Sequence, residues 1–307
     1  MNERQRQQLA ELCPGAQWRA DMAKMSSFRA GGTVEALVET ADCGILPELL
    51  RFLAREGIGW QVLGGGSNIL FAGGLHEGVF IRLLGGAEDI EAGEGESEAG
   101  HLVRAQAGVS MTRLLGWCLK RELGGLEFMT GIPGTVGGAV AMNAGAFGGA
   151  TGDRLHAVRC LNAQGETAEI PAADLRFQYR RTLFPEPFAD KCLILGATFA
   201  LDPRPAEEIR ARMRDLLARR KAKQPVGAAC AGSFFKNPPG DYAGRLIEQA
   251  GLKGCCRGQA MVSPKHGNII VNRGGASPED ILNLMRLVQA RVHERFGVML
   301  EPEVRLF

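Results

Sequence analysis

Ser233, in Ala231-Gly232-Ser233-Phe234-Phe235-Lys236-Asn237-Pro238, places one hydroxyl beside a glycine, flanked by aromatics and by the polar Lys236 and Asn237. The aromatic neighbours could exclude water from that hydroxyl. Read alone, the same residues fit an ordinary turn or helix cap. There is no G-x-S-x-G elbow, so a hydrolase nucleophile is not indicated. Arg180, in Tyr179-Arg180-Arg181, offers a guanidinium that could hold a carboxylate through two hydrogen bonds, although Arg181 competes for that reading. Glu301-Pro302-Glu303-Val304-Arg305 leads into a final strand in which alternation sets Glu303 and Arg305 on one face, an arrangement equally at home in solvent.

Glycine is the other chemical signal, with 42 residues gathered in clusters that have no period. In Leu63-Gly64-Gly65-Gly66-Ser67-Asn68 the missing side chains would let backbone N–H groups approach a pyrophosphate. The pattern is neither the Rossmann fingerprint nor a P-loop, and by itself it also fits a tight turn. A second set, Gly131-Ile132-Pro133-Gly134-Thr135-Val136-Gly137-Gly138 followed by Asn143-Ala144-Gly145, lies one subdomain later. Two such loops suit one extended ligand, a dinucleotide such as FAD. None of the five histidines falls in either loop, so non-covalent flavin is expected.

These residues need a scaffold, and 307 residues with 45% hydrophobic content supply enough core for two or three domains. A net charge of +2 argues against a nucleic-acid or membrane-surface partner. Eight scattered cysteines without metal-type spacing, no apolar run of membrane length and no signal-type start point to a cytoplasmic protein without a metal site. A strand at 34–38, a helix at 45–54 and a strand at 60–63 form a strand-helix-strand unit that delivers the first glycine loop. A further strand at 78–83 precedes an acidic segment, 85–100, read as an exposed connection. Strands at 102–107, 158–161, 166–170 and 193–201, with a helix at 111–121, frame the second glycine loop. From Pro205 a basic helix runs to Lys223. The helix after Ser277 is the best specified, with that serine as N-cap, Pro278 in its first turn and Asp280 closing a capping box. The expected organisation is α+β, divided at 1–86, 87–203 and 204–307.

Taken in order, Ser26-Ser27-Phe28-Arg29-Ala30-Gly31-Gly32, Leu63 to Asn68, Gly131 to Gly138, Tyr179-Arg180, Ala231 to Pro238 and Glu301 to Arg305 resemble the UDP-N-acetylenolpyruvoylglucosamine reductases over nearly the whole chain. The resemblance implies two FAD-binding subdomains of the vanillyl-alcohol-oxidase type, a smaller carboxyl-terminal substrate domain, and an oxidoreductase of peptidoglycan precursor synthesis. NADPH would give hydride to the flavin, and the flavin would give it to the enolpyruvyl methylene carbon of a nucleotide sugar. Arg180, Ser233 and Glu303 match the family's catalytic positions, with Ser233 as proton donor. Gly64, Gly65, Gly66, Ser67, Asn68, Gly131, Ile132, Pro133, Gly134, Gly138, Asn143 and Gly145 fall in the flavin loops. Tyr179, Lys223 and Asn237 fall where the family meets its substrate. A monomer of the subfamily lacking an extra tyrosine loop is expected. Gly267, Ser27, Cys230 and Ala229 depart from the family's common residues, which puts local loop stiffness in question.

Overall fold

The computed structural model describes residues 1–86, 88–97 and 100–307. Its helices and strands are mixed along the chain, giving the expected α+β class. Two compact units divide the chain, and neither is contiguous: residues 1–18, 36–65 and 77–218 form the first, and residues 19–35, 66–76 and 219–307 the second. These packing units cut across the three segments expected from composition. Residues 204–218 pack with the first unit, and two short early segments pack with the second.

In the first unit, Cys192–Pro203, buried without a break from Leu193 to Leu201, is the central strand of the main sheet. Leu155–Asn162 and Gly100–Gln106 flank it antiparallel, and Thr167–Pro171 and Ile90–Ser97 form the two edges. The Ile90–Ser97 strand corrects the reading of 85–100 as a connection; Ala87, Glu98 and Ala99 lie outside the described residues. Its pairing has a physical basis that the Glu and Gly content hid. Ile90 sits opposite Ala105, Ala92 opposite Val103, and Glu91 opposite Arg104, so apolar and opposite-charge pairs match across the ladder.

The helix Leu46–Arg55 buries Leu46, Leu49, Leu50, Phe52 and Leu53 before the chain enters Trp60–Leu63. That strand runs parallel to Leu75–Leu83, with Trp60 opposite Val79 and Leu63 opposite Arg82, and it ends at Gly64. The second glycine loop contains a short helix, Val136–Ala141, that the glycine content concealed. Thr135 caps it by accepting the Gly138 N–H, and Val136, Ala139 and Val140 are buried.

The second unit has its own core, built on Phe28, Leu70, Phe234, Phe235 and the apolar face of Pro278–Phe296. Two further strand groups belong to it. Ala260–Val262 lies between Cys256–Arg257 and Ile270–Asn272, and Arg305–Leu306 runs parallel to Ile69–Leu70. The expected terminal strand is therefore shorter than the alternation suggested and begins after Val304. Buried Asn272 ties three segments together, its Nδ2 donating to the Phe28 carbonyl and its Oδ1 accepting the Gly274 and Ala276 N–H groups.

Pro278–Phe296 forms as its sequence demands. Ser277 and Asp280 complete the capping box, and Gly297 closes the helix at φ 70°. Ser277→Ala should lower the unfolding free energy by about 1 kcal/mol, the usual worth of such a cap. A lower urea midpoint with an unchanged slope would show it.

Candidate active site

The two glycine loops expected to share one ligand do meet within the first unit. A Cβ on Gly65 would lie 2.8 Å from the Gly134 Cα, and one on Gly64 would lie 3.2 Å from the Thr135 Oγ1. The second loop is held against residues 107–111 by three hydrogen bonds, from Gly137 N–H to Ala107, Val136 N–H to Val109 and Met111 N–H to Gly134. Gly131 and Gly134 take positive φ, at 75° and 131°. Ile132 is half-buried with its N–H on the Met129 carbonyl, and Pro133 is exposed. Among the described residues the N–H groups of Gly64, Gly65 and Gly134 meet no acceptor. Exposed or half-buried donors of this kind suit an anionic ligand.

Arg180 belongs to the same unit. Arg176–Gln178 and Arg181–Leu183 form a tight hairpin with Gln178 opposite Arg181, so Tyr179 and Arg180 make its two-residue turn. Arg180 adopts φ 61°, a left-handed conformation unusual for a bulky residue. Its Nη1 donates to the Gly145 carbonyl at 3.0 Å, and its guanidinium lies 5.0 Å from the exposed ring of Tyr179. Arg181 is exposed, whereas Arg180 is half-buried. Asn143, expected among the flavin contacts, uses its side chain internally: Oδ1 accepts the Gly152 N–H at 2.9 Å and Nδ2 donates to the Gln178 carbonyl at 3.2 Å. Gly145 pairs with Ala150, and a Cβ there would lie 2.5 Å from the Gly149 carbonyl oxygen.

The second unit brings Ser233 and Glu303 together. The Glu303 N–H donates to the Phe234 carbonyl at 2.8 Å, and the Lys236 N–H to the Glu301 carbonyl at 2.8 Å. On its other side the segment is held by Asn268, whose carbonyl accepts the Phe234 N–H at 2.8 Å. The Asn268 side chain accepts from the Phe235 N–H at 2.9 Å and donates to the Phe235 carbonyl at 2.7 Å. Phe234 and Phe235 are fully buried, and Gly232 at φ 72° turns the chain so that Ser233 stands at the margin of that core, half-exposed. The Ser233 hydroxyl has no hydrogen-bond partner among the described residues.

Asn68 donates from its side chain to the Glu303 carbonyl at 3.1 Å, and its own carbonyl accepts the Arg305 N–H. Gly66, at φ 69°, closes against Met25 so tightly that a Cβ would lie 1.7 Å from the Met25 carbonyl oxygen, and its carbonyl accepts the Ser27 N–H. Ser67 follows, half-buried. The Ser27 Oγ is buried with no hydrogen-bond partner, a hydroxyl left for a ligand. Each unit thus keeps polar groups unspent.

Lys223 ends the helix Ala206–Lys223 and is exposed, and Lys265 Nζ donates to the Lys221 carbonyl at 2.6 Å. Asn237 is exposed and its Oδ1 accepts the Ala243 N–H, capping the helix Ala243–Gln249. At Gly267, a Cβ would lie 2.6 Å from the Gly244 carbonyl oxygen, so glycine fits the site sterically. Burial pushes His266 below its ordinary value, Lys253 and Lys223 push the same way, and Glu248 opposes them. Its Nδ1 accepts the Asn268 N–H, a bond that protonation there would break.

Sequence reasoning missed Asn268 and Asn272 as organising residues, although both stand out as amides bounding the apolar run Asn268-Ile269-Ile270-Val271-Asn272. It also missed the local tasks of Asn68 and Asn143. Hydrogen-bond partners far apart in sequence leave no pattern in it.

Comparison with known proteins is consistent with this geometry. Residues 224–307 match the model of the UDP-N-acetylenolpyruvoylglucosamine reductase carboxyl-terminal domain, and residues 34–170 match an FAD binding domain. The UDP-N-acetylenolpyruvoylglucosamine reductase of Syntrophobacter fumaroxidans is 42% identical over 94% of this chain and 83% of its own. That of Alkalilimnicola ehrlichii is 43% identical over 93% of this chain and 92% of its own. The chain belongs to the UDP-N-acetylenolpyruvoylglucosamine reductase family. The crystal structure of the Thermus caldophilus UDP-N-acetylenolpyruvylglucosamine reductase superposes with a TM-score of 0.77 at 33% identity, covering 95% of this chain and 98% of that one. The protein is accordingly an FAD-dependent oxidoreductase. Among the described residues no helix is long and apolar enough to cross a membrane.

Two outcomes are expected. Gly65→Ala forces backbone against backbone at Gly134, and overpacking of this kind, at ~1–3 kcal/mol, should weaken flavin retention about tenfold or more. Visible flavin absorbance per protein after dialysis reads it. For His266, the unfolded chain takes up a proton near pH 6.5 and the folded chain only at lower pH. Folding stability should therefore fall as pH drops below about 6.5, and His266→Gln should flatten that dependence in unfolding curves.

Proposed function

We propose that this enzyme reduces UDP-N-acetylglucosamine enolpyruvate to UDP-N-acetylmuramate with NADPH, as a cytoplasmic monomer in peptidoglycan precursor synthesis. The observation that supports this most is the pairing of Ser233 and Glu303 on hydrogen-bonded backbone segments, with the Ser233 hydroxyl unspent. Segments 1–86 and 87–203 serve the flavin and 204–307 the substrate in this reading. The N–H groups of Gly64, Gly65 and Gly134 meet the pyrophosphate, with Gly66, Ser67, Asn68, Gly131, Ile132, Pro133, Gly138, Asn143 and Gly145 shaping the loops around the cofactor. When bound, the flavin supplies hydride chemistry, accepting from NADPH and donating to the enolpyruvyl methylene carbon.

The chain's own groups handle the charge and the proton. Hydride addition at the methylene carbon drives the double-bond electron pair toward the adjacent carbon and its carboxylate. Arg180 holds that carboxylate, and a protonated Glu303 stabilises the enol form. Ser233 delivers its proton to the adjacent carbon, and the carbanion-like substrate is basic enough to take it. The aromatic core behind Ser233 keeps competing water away on that side. Tyr179, Lys223 and Asn237 bind the nucleotide sugar, Lys223 as a point charge for phosphate.

Anaerobic stopped-flow separates the two half-reactions. Ser233→Ala should leave flavin reduction by NADPH within about twofold and slow reoxidation by the enolpyruvyl substrate by at least about 10²-fold, the lower range of general-acid contributions. Unchanged reoxidation would remove Ser233 from the proton step.

A further inference from the structure

We infer that Asn143 is a positioning residue for Arg180, joining the second glycine loop to the turn that carries the guanidinium. The inference rests on the reading of Arg180 as the substrate-carboxylate ligand. Two bonds across these segments bear on the guanidinium, Asn143 Nδ2 to the Gln178 carbonyl at 3.2 Å and Arg180 Nη1 to the Gly145 carbonyl at 3.0 Å, while the buried Thr182 Oγ1 donates to the Val140 carbonyl and anchors the strand leaving the turn. The first acts on the backbone entering the turn, and the second on the tip of the side chain. A third bond, from the Gly152 N–H to Asn143 Oδ1, fixes the amide's orientation, so the NH₂ group is the one facing Gln178.

Backbone conformation explains why asparagine serves here. Asn143 has φ 38°, in the left-handed region that asparagine tolerates better than most side chains. Arg180 is also left-handed, at φ 61°. A turn holding a bulky residue in that conformation has a reason to relax, and the hairpin contributes only three paired positions on each strand. The amide of Asn143 opposes that relaxation from outside the hairpin. The bond from Arg180 Nη1 to the Gly145 carbonyl orients the guanidinium.

Asn143 thus acts through Arg180 and touches neither the proton nor the hydride. Removing its amide should slow reoxidation by the enolpyruvyl substrate about 10- to 100-fold, measured on the flavin-loaded enzyme, as small misplacements of a binding group do. Asn143→Gly keeps the backbone conformation and loses all side-chain bonds. Asn143→Asp keeps the acceptor for Gly152 and loses the donor for Gln178, so it should behave like Asn143→Gly. The decisive comparison places Asn143→Gly in an Arg180→Lys background. Its cost should there shrink to about threefold or less, because coupled residues give non-additive losses. Additive losses, or full activity of Asn143→Asp, would each overturn the inference. An Arg180→Lys enzyme with unchanged reoxidation would instead remove the reading of Arg180 on which it rests.

Discussion

The chemistry of the second unit depends on one short piece of backbone being hydrogen-bonded on both sides. Asn268 takes the Phe234 and Phe235 side of that segment with three bonds, and the 301–303 segment takes the other with two. Asn268 is buried at 3% exposure, so breaking its bonds strands polar groups away from water at ~1–3 kcal/mol each. Slippage by one residue would also drive the side chains of Phe234 and Phe235 out of a filled core. Ser233 and Glu303 inherit their backbone placement from this clamp.

The first unit solves a different problem with different means. Its glycines permit two loops to approach at backbone distance, as Gly65 and Gly134 do, and the approach leaves N–H groups facing outward with nothing to bind. Crowding and donor supply come from the same residues. Asn68 then bonds the Glu303 carbonyl in one unit, and Asn143 the Gln178 carbonyl at the entry to the Arg180 turn in the other.

Local patterns in the sequence were legible where one element carried the whole signal. The Ser277 cap, the apolar face of Pro278–Phe296 and the strand entering Gly64 all follow from periodicity and capping chemistry. The edge strand Ile90–Ser97 did not, because its Glu and Gly content reads as a connection until the matching residues of Gly100–Gln106 lie beside it. The short helix inside the second glycine loop was hidden by Gly137 and Gly138, which tertiary contacts with residues 107–109 override. Packing units built from residues far apart in sequence were also beyond composition, since 19–35 and 66–76 join the carboxyl-terminal part through contacts alone. Among site residues, the order of motifs singled out Ser233, Arg180 and Glu303, whereas Asn268 became visible only through its partners.

Asn268→Ala, measured in anaerobic single-turnover flavin reduction and reoxidation, tests the clamp most directly, because it leaves every proposed reacting group in the chain. Flavin reduction by NADPH should stay within about twofold, while reoxidation by the enolpyruvyl nucleotide sugar should fall about 10²-fold, the scale of lost positioning. Equal slowing of both half-reactions, or of neither, would contradict the account.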